Sequence, residues 1–168
     1  IKKRDKSTII YSNKNNLENI SELLNIRRFC KQKSIKFYVA NNTKLAILLN
    51  SDGIYISAFN RSFKALSLKK SNFNLIGSAH SLREINIKKK QGCNIILFSK
   101  LFLVSYDKMA SYLGVVKFNN YLKINKNLIP LGGISTRNLN HLNNINCEGF
   151  ALLSEIKKKP AKIINRLF

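Results

Sequence analysis

The sequence predicts a (β/α)8 barrel of the TIM type, a single domain over residues 1–168 with seven of the eight strands inside the chain. Three observations predict it. Short apolar runs alternate with helical patterns from end to end, and repeated β-then-α order implies parallel strands joined by right-handed crossovers. Several runs are almost continuously apolar, the pattern of a parallel strand buried on both faces. Two loops follow the last two runs, at the point in the order where barrels commonly cradle a phosphate. A doubly wound sheet is the alternative. Seven units at this short spacing favour the barrel, with one unit missing or unrecognised.

The strands are expected at residues 7–12, 35–40, 53–56, 74–78, 94–98, 127–131 and 148–153. Between the first two, Leu17, Ile20, Leu23, Leu24 and Cys30 share one face of a helix near residues 17–33. Residues 43–49 read as a short second helix. Ser81 with Glu84 three positions later is a capping box, which starts a helix there. A last helix starts near Pro160, a favoured first-turn residue, and buries Ile163, Ile164 and Leu167. No Pro/Gly-rich linker divides the chain.

Composition narrows the function classes. The chain is 45% hydrophobic, which excludes a disordered tail, and no apolar run is long enough to span a membrane. With no signal-peptide pattern at its start, it reads as cytoplasmic. The net charge of +22 would suit nucleic acid, but the lysines are scattered over every helix and loop. The runs Lys88–Lys90 and 157–159 lie at helix edges without an aromatic-rich basic motif. Nucleic acid is therefore not the expected partner; attraction of small phosphorylated ligands is. Cys30, Cys93 and Cys147 are far apart and odd in number. They read as reduced thiols packed as small hydrophobes.

The phosphate signal lies in Ile129-Pro130-Leu131-Gly132-Gly133-Ile134-Ser135 and in Gly149-Phe150-Ala151-Leu152-Leu153-Ser154. Adjacent glycines allow positive φ and leave no Cβ between backbone N–H groups and an anion. A helix after the pair, capped by Ser135 or Thr136, would add its N-terminus. The alternative is that Gly132 and Gly133 only make a tight strand-to-helix turn. Gly132, Gly133, Leu153 and Ser154 are the phosphate candidates, and Gly133→Asp is expected to abolish ligand binding.

Four segments together resemble the thiamine phosphate synthase and TenI family: Ile76-Gly77-Ser78-Ala79-His80-Ser81-Leu82-Arg83-Glu84, Gly92-Cys93-Asn94-Ile95-Ile96-Leu97-Phe98, Leu131-Gly132-Gly133-Ile134-Ser135 and Gly149-Phe150-Ala151-Leu152-Leu153-Ser154-Glu155-Ile156. Asp52-Gly53-Ile54-Tyr55-Ile56 is similar to a strand of that family. The resemblance implies a (β/α)8 barrel whose first unit would precede Ile1. It implies condensation of a thiazole phosphate with a pyrimidine pyrophosphate, assisted by Mg²⁺, or in the TenI branch a thiazole tautomerisation. A non-catalytic relative that keeps phosphate binding is the third reading.

Carried over by position, the resemblance gives Gly133 and Ser154 to phosphate, Ser78 to a strand end and Lys14 to pyrophosphate. The glutamine and arginine that precede this lysine in the family are Ile10 and Ser12 here. The two metal-holding aspartates fall on Asn41 and Asn60, so two carboxylates that Mg²⁺ prefers become amides. The Thr-x-Thr-Lys loop falls on Val104-Ser105-Tyr106-Asp107, with Lys108 one place late. Lys108 and His80 are the catalytic candidates. A histidine just past a strand end suits proton transfer at neutral pH, and His141 is expected to be merely exposed.

Overall fold

Residues 7–13, 19–71, 73–104 and 109–153 are described in a computed structural model. Chain order is β1 (Thr8–Tyr11), α1 (Ile20–Gln32), β2 (Lys36–Ala40), α2 (Thr43–Leu48), β3 (Gly53–Ile56), a 3-10 segment (Lys64–Ser71), β4 (Asn74–Ala79), α3 (Leu82–Lys90), β5 (Ile95–Phe98), α4 (Gly114–Ile124), β6 (Leu128–Pro130) and a second 3-10 segment (Leu139–Asn144). All resolved pairings are parallel. The sheet order is β1-β2-β3-β4-β5-β6. Strands that follow one another without reversal exclude the doubly wound alternative, in which the order switches direction.

The described part of the sheet has six strands, one fewer than expected. The run at 148–153 contributes a single parallel bridge, Leu131 to Ala151, with the Ala151 N–H donating to the Pro130 carbonyl at 2.9 Å. Gly149 sits in this run, and glycine weakens a strand. The helix expected near Pro160 lies outside the described residues.

The chain divides into two compact units. Unit 1 comprises residues 1–77 and 87–94, and unit 2 comprises 78–86 and 95–168. In unit 1 the Asn19 side chain accepts from the Glu22 N–H and caps α1, whose buried residues are Leu23 and Cys30. Asn42 caps α2 in the same way through the Leu45 N–H. Phe37, Val39, Ile54, Ile56 and Leu75 from the strands complete this core.

In unit 2, Ile96, Phe98 and Leu128 from the strands pack with Phe118 and Leu122 of α4. The rings of Phe98 and Tyr121 meet edge-on at 5.0 Å. The sequence pattern alone did not reveal α4. Phe118 and Leu122 carry the right spacing, but Val116 and Ile124 are exposed and blur the stripe. Cys30 and Cys93 are buried and Cys147 half-buried, all as free thiols. Burial pushes the Cys30 and Cys147 thiols up from their ordinary values. No helix among the described residues is long and apolar enough to cross a membrane.

Candidate functional site

Candidate residues gather in two clusters, one in each unit. In unit 1, Asn41 follows β2 in the left-handed region at φ +57°, a conformation asparagine tolerates better than most residues. Its Oδ1 accepts three hydrogen bonds: from the Asn60 Nδ2 at 2.9 Å and from the Ser57 N–H and hydroxyl, both at 3.1 Å. The Asn60 Oδ1 accepts from the Ser62 N–H at 2.9 Å. The two positions on which the family's metal aspartates fall are therefore brought together, and they bond to each other. Beside them lies a recess of about 80 Å³ lined by Asn41, Thr43, Ile54, Ile56, Asn60 and Ser62 among others. Pockets for drug-sized ligands run to several hundred Å³, so this recess admits only a small group.

Lys88 and Gln91, both fully buried, hold the segment after β3 from below. The Lys88 ammonium donates to the Asn60 carbonyl at 2.6 Å and to the Gln91 Oε1 at 2.9 Å. The Gln91 amide donates to the Asn60 and Ser62 carbonyls at 3.0 and 2.8 Å. Sequence reasoning placed Lys88 in a basic run at a helix edge. Its position three residues after the buried Ile85 was the signal that it lies on the inner face of α3.

In unit 2, His80 stands just past β4. Its backbone N–H donates to the Glu84 Oε2 at 2.6 Å, and the Glu84 N–H donates to the Ser81 Oγ at 3.3 Å. The expected capping box is present, with its return bond made to His80 and not to Ser81. The His80 Nδ1 lies 2.9 Å from the hydroxyl of Ser99, which is buried. Ser78, two residues earlier, is 4% exposed and thus sits within the packed strand.

The glycine pair is held by the segment after β5. The Leu101 N–H donates to the Leu131 carbonyl at 2.9 Å and the Phe102 N–H to the Gly132 carbonyl at 3.0 Å. Gly132 and Gly133 have φ of +91° and +69°. A Cβ on Gly133 would collide with the Phe102 and Leu103 carbonyls. The pair is thus required by close backbone approach as well as by φ.

No α-helix follows. The chain makes a turn and the short 3-10 segment, an Asn-rich stretch whose side chains compete for backbone groups. The Asn138 Oδ1 accepts from the Ser135 N–H at 2.8 Å, and its Nδ2 donates to the Gly133 carbonyl at 2.8 Å. In place of the expected helix cap at Ser135 or Thr136, the Asn138 side chain ties the turn back on itself. Leu153 is 61% exposed at the end of the described chain. Lys14, Lys108 and Ser154 lie outside the described residues. His141 lies in the 3-10 segment, with its ring 6.1 Å from that of Phe102. Among the described residues no group of three or more His, Cys, Asp or Glu is placed to hold a metal ion. Ser99, Lys88, Gln91 and Asn138 were not anticipated from sequence.

The model of a family described as thiamine monophosphate synthase matches residues 3–156. Among curated proteins, a thiamine-phosphate synthase of Clostridioides difficile is 23% identical over 145 residues, covering 84% of this chain and 68% of that protein. One from Prochlorococcus marinus is 25% identical over 139 residues, covering 82% of this chain and 40% of that protein. The chain thus spans about two fifths of the latter relative's length. Among solved structures, thiamine phosphate pyrophosphorylase from Pyrococcus furiosus has a TM-score of 0.67 at 16% identity, over 96% of this chain and 83% of that one. A 3-keto-L-gulonate-6-phosphate decarboxylase from Vibrio cholerae reaches 0.62 at 10% identity, over 96% and 84%. These two likenesses concern the fold alone.

Proposed function

The chain belongs to the thiamine monophosphate synthase family, and on that premise we propose that it binds a thiazole phosphate in unit 2, at the segments that follow β5 and β6. The observation that carries this reading is the glycine turn packed against Ser99 and Lys100, with the Ser99 hydroxyl in turn bonded to the His80 ring, all within the span of the family match. Gly132, Gly133, Leu153 and Ser154 are the positions we assign to the phosphate, Ser154 lying outside the described residues. The strongly positive chain raises the local concentration of such an anion. Closure of the sheet into the eight-unit barrel is part of the same reading.

The condensation with a pyrimidine pyrophosphate is the family's reaction, and Mg²⁺ is its implied cofactor. The residues here do not fit that ion. Mg²⁺ seeks charged oxygen ligands in a near-octahedral shell. Asn41 and Asn60 bring amide oxygens, and those oxygens already accept hydrogen bonds from neighbours. We therefore assign no step to the metal and read condensation as weakened or lost. A tautomerase is the second reading, favoured by one observation: His80 is held at both its backbone and its ring, as a proton-transfer group must be.

Calorimetric titration with thiazole phosphate, paired with an assay that adds hydroxymethylpyrimidine pyrophosphate and Mg²⁺, tests the proposal. Saturable binding with little thiamine phosphate formed is expected. Efficient condensation would sink the metal argument, and absence of binding would sink the site.

A further inference from the structure

The reading above uses Ser99 only as a contact that holds the His80 ring, yet its surroundings also restrict what its hydroxyl can do. The residue is 5% exposed, and among the described residues the only hydrogen-bond partner of its Oγ is the His80 Nδ1, at 2.9 Å. A buried hydroxyl needs an acceptor for its hydrogen. If the His80 Nδ1 carried a proton, it would donate to Oγ and leave the hydroxyl hydrogen without a partner. If Nδ1 is bare, it accepts that hydrogen and both groups are satisfied. The hydrogen bond at one ring nitrogen decides which nitrogen holds the proton.

We infer that Ser99 is a positioning residue that fixes neutral His80 in the Nε2–H tautomer, so that the exposed ring presents an N–H donor to an anionic oxygen of the bound ligand. The rest of the cluster supports the assignment. Glu84 anchors the His80 backbone, which fixes the base from which the ring reaches Ser99. The Ser99–Lys100 backbone lies against the glycine turn: a Cβ on Gly132 would stand 3.3 Å from the Lys100 Cα and 3.5 Å from the Ser99 Cβ. His80 is thus coupled through one buried hydroxyl to the segment that packs on the turn. In that tautomer Nε2–H is the donor, and the Nδ1 lone pair is taken by the Ser99 hydrogen.

This inference deepens the proposed function and rests on it for the ligand, while the tautomer is a property of the free protein. Nitrogen-15 NMR of the imidazole rings tests it on the whole chain at a pH where the rings are neutral. The chain has two histidines, so His141→Gln assigns the signals. The wild type should show a protonated Nε2 and a bare Nδ1 at His80. Ser99→Ala should give a mixture of tautomers, and Ser99→Thr should restore one. A wild-type His80 protonated at Nδ1 overturns the inference even if Ser99→Ala fails to fold, and so does an unchanged tautomer in Ser99→Ala. Titration with thiazole phosphate should then shift the Nε2 signal; saturable binding without that shift overturns the donor role. Absence of thiazole phosphate binding overturns the proposed function and leaves the tautomer to be judged on the free protein.

Discussion

The cluster in unit 1 and the cluster in unit 2 are both dense in polar contacts, but they are built in opposite ways. In unit 1 the side chains bond to one another. Asn41 Oδ1 receives three donors, Asn60 bonds through both ends of its amide, and Lys88 and Gln91 fix the backbone from within the core. In unit 2 the backbone is fixed by other backbone, through Leu101, Phe102 and the glycine pair, and the exposed side chain His80 is pinned at its base. A site that binds an anion needs donors aimed outward on a rigid frame. On the proposed reading unit 2 supplies that frame, whereas unit 1 has turned its polar groups upon itself.

The largest effect should come from the backbone frame. Gly133→Ala places a methyl against the Phe102 and Leu103 carbonyls at a positive φ, so it should lower unfolding free energy by about 3 kcal/mol, the sum of a strained conformation and an overpacked contact. Urea unfolding checks this. Gly133→Asp suffers the same collision, so its loss of binding would not by itself reveal a phosphate. Next in size is Lys88→Met. It keeps the bulk of the side chain but leaves the Gln91 Oε1 short of a donor, which should destabilise by about 2 kcal/mol through a buried unsatisfied acceptor. A loss within error would mean that the ammonium contributes nothing to holding the segment after β3.

The Asn41→Asp, Asn60→Asp double variant tests the self-bonded network directly. Two carboxylates cannot share the 2.9 Å contact that the amides make, and like charges so close repel. Without metal the variant should melt several degrees below the wild type, equivalent to about 2 kcal/mol for groups that lose a donor and gain repulsion. Adding Mg²⁺ should recover stability in the variant and leave the wild type unmoved, since a ligand stabilises only the state that binds it. Melting curves with and without the ion decide. A wild-type melt that rises with Mg²⁺ would mean that the native amides do hold the metal.

Much of the fold was legible because the strands announce themselves. The runs at 35–40, 53–56, 74–78 and 94–98 are apolar on both faces, as parallel strands must be, and each lies within one residue of β2 to β5 at both ends. The cap at Ser81 and Glu84 was readable because its chemistry is local. What escaped was non-local. Nothing in the spacing of Ser99 and His80 says that their side chains meet. A lysine inside a basic run looks solvated until Ile85 shows which face of α3 is buried. The glycine pair was read as room for an anion, whereas the carbonyls that press on it belong to a segment some thirty residues earlier.

The smallest expected effect concerns Asn138, where the two clusters come nearest to sharing a design. Its amide bonds to the Ser135 N–H and the Gly133 carbonyl, so one backbone donor beside the glycine turn faces a side chain of this chain and not a ligand. Asn138→Ala removes two half-buried hydrogen bonds from a segment that water can reach, so the stability loss should be about 1 kcal/mol. The more telling readout is the Ser135 amide. Freed from Asn138, its proton should exchange faster with solvent in the variant. Thiazole phosphate should slow that exchange if the ligand's oxygens take the place of the asparagine. Exchange that is fast in the variant and indifferent to the ligand would place the phosphate elsewhere on the turn. Unchanged exchange would show that the Asn138 contact contributes nothing, and that even in unit 2 only the backbone frame matters.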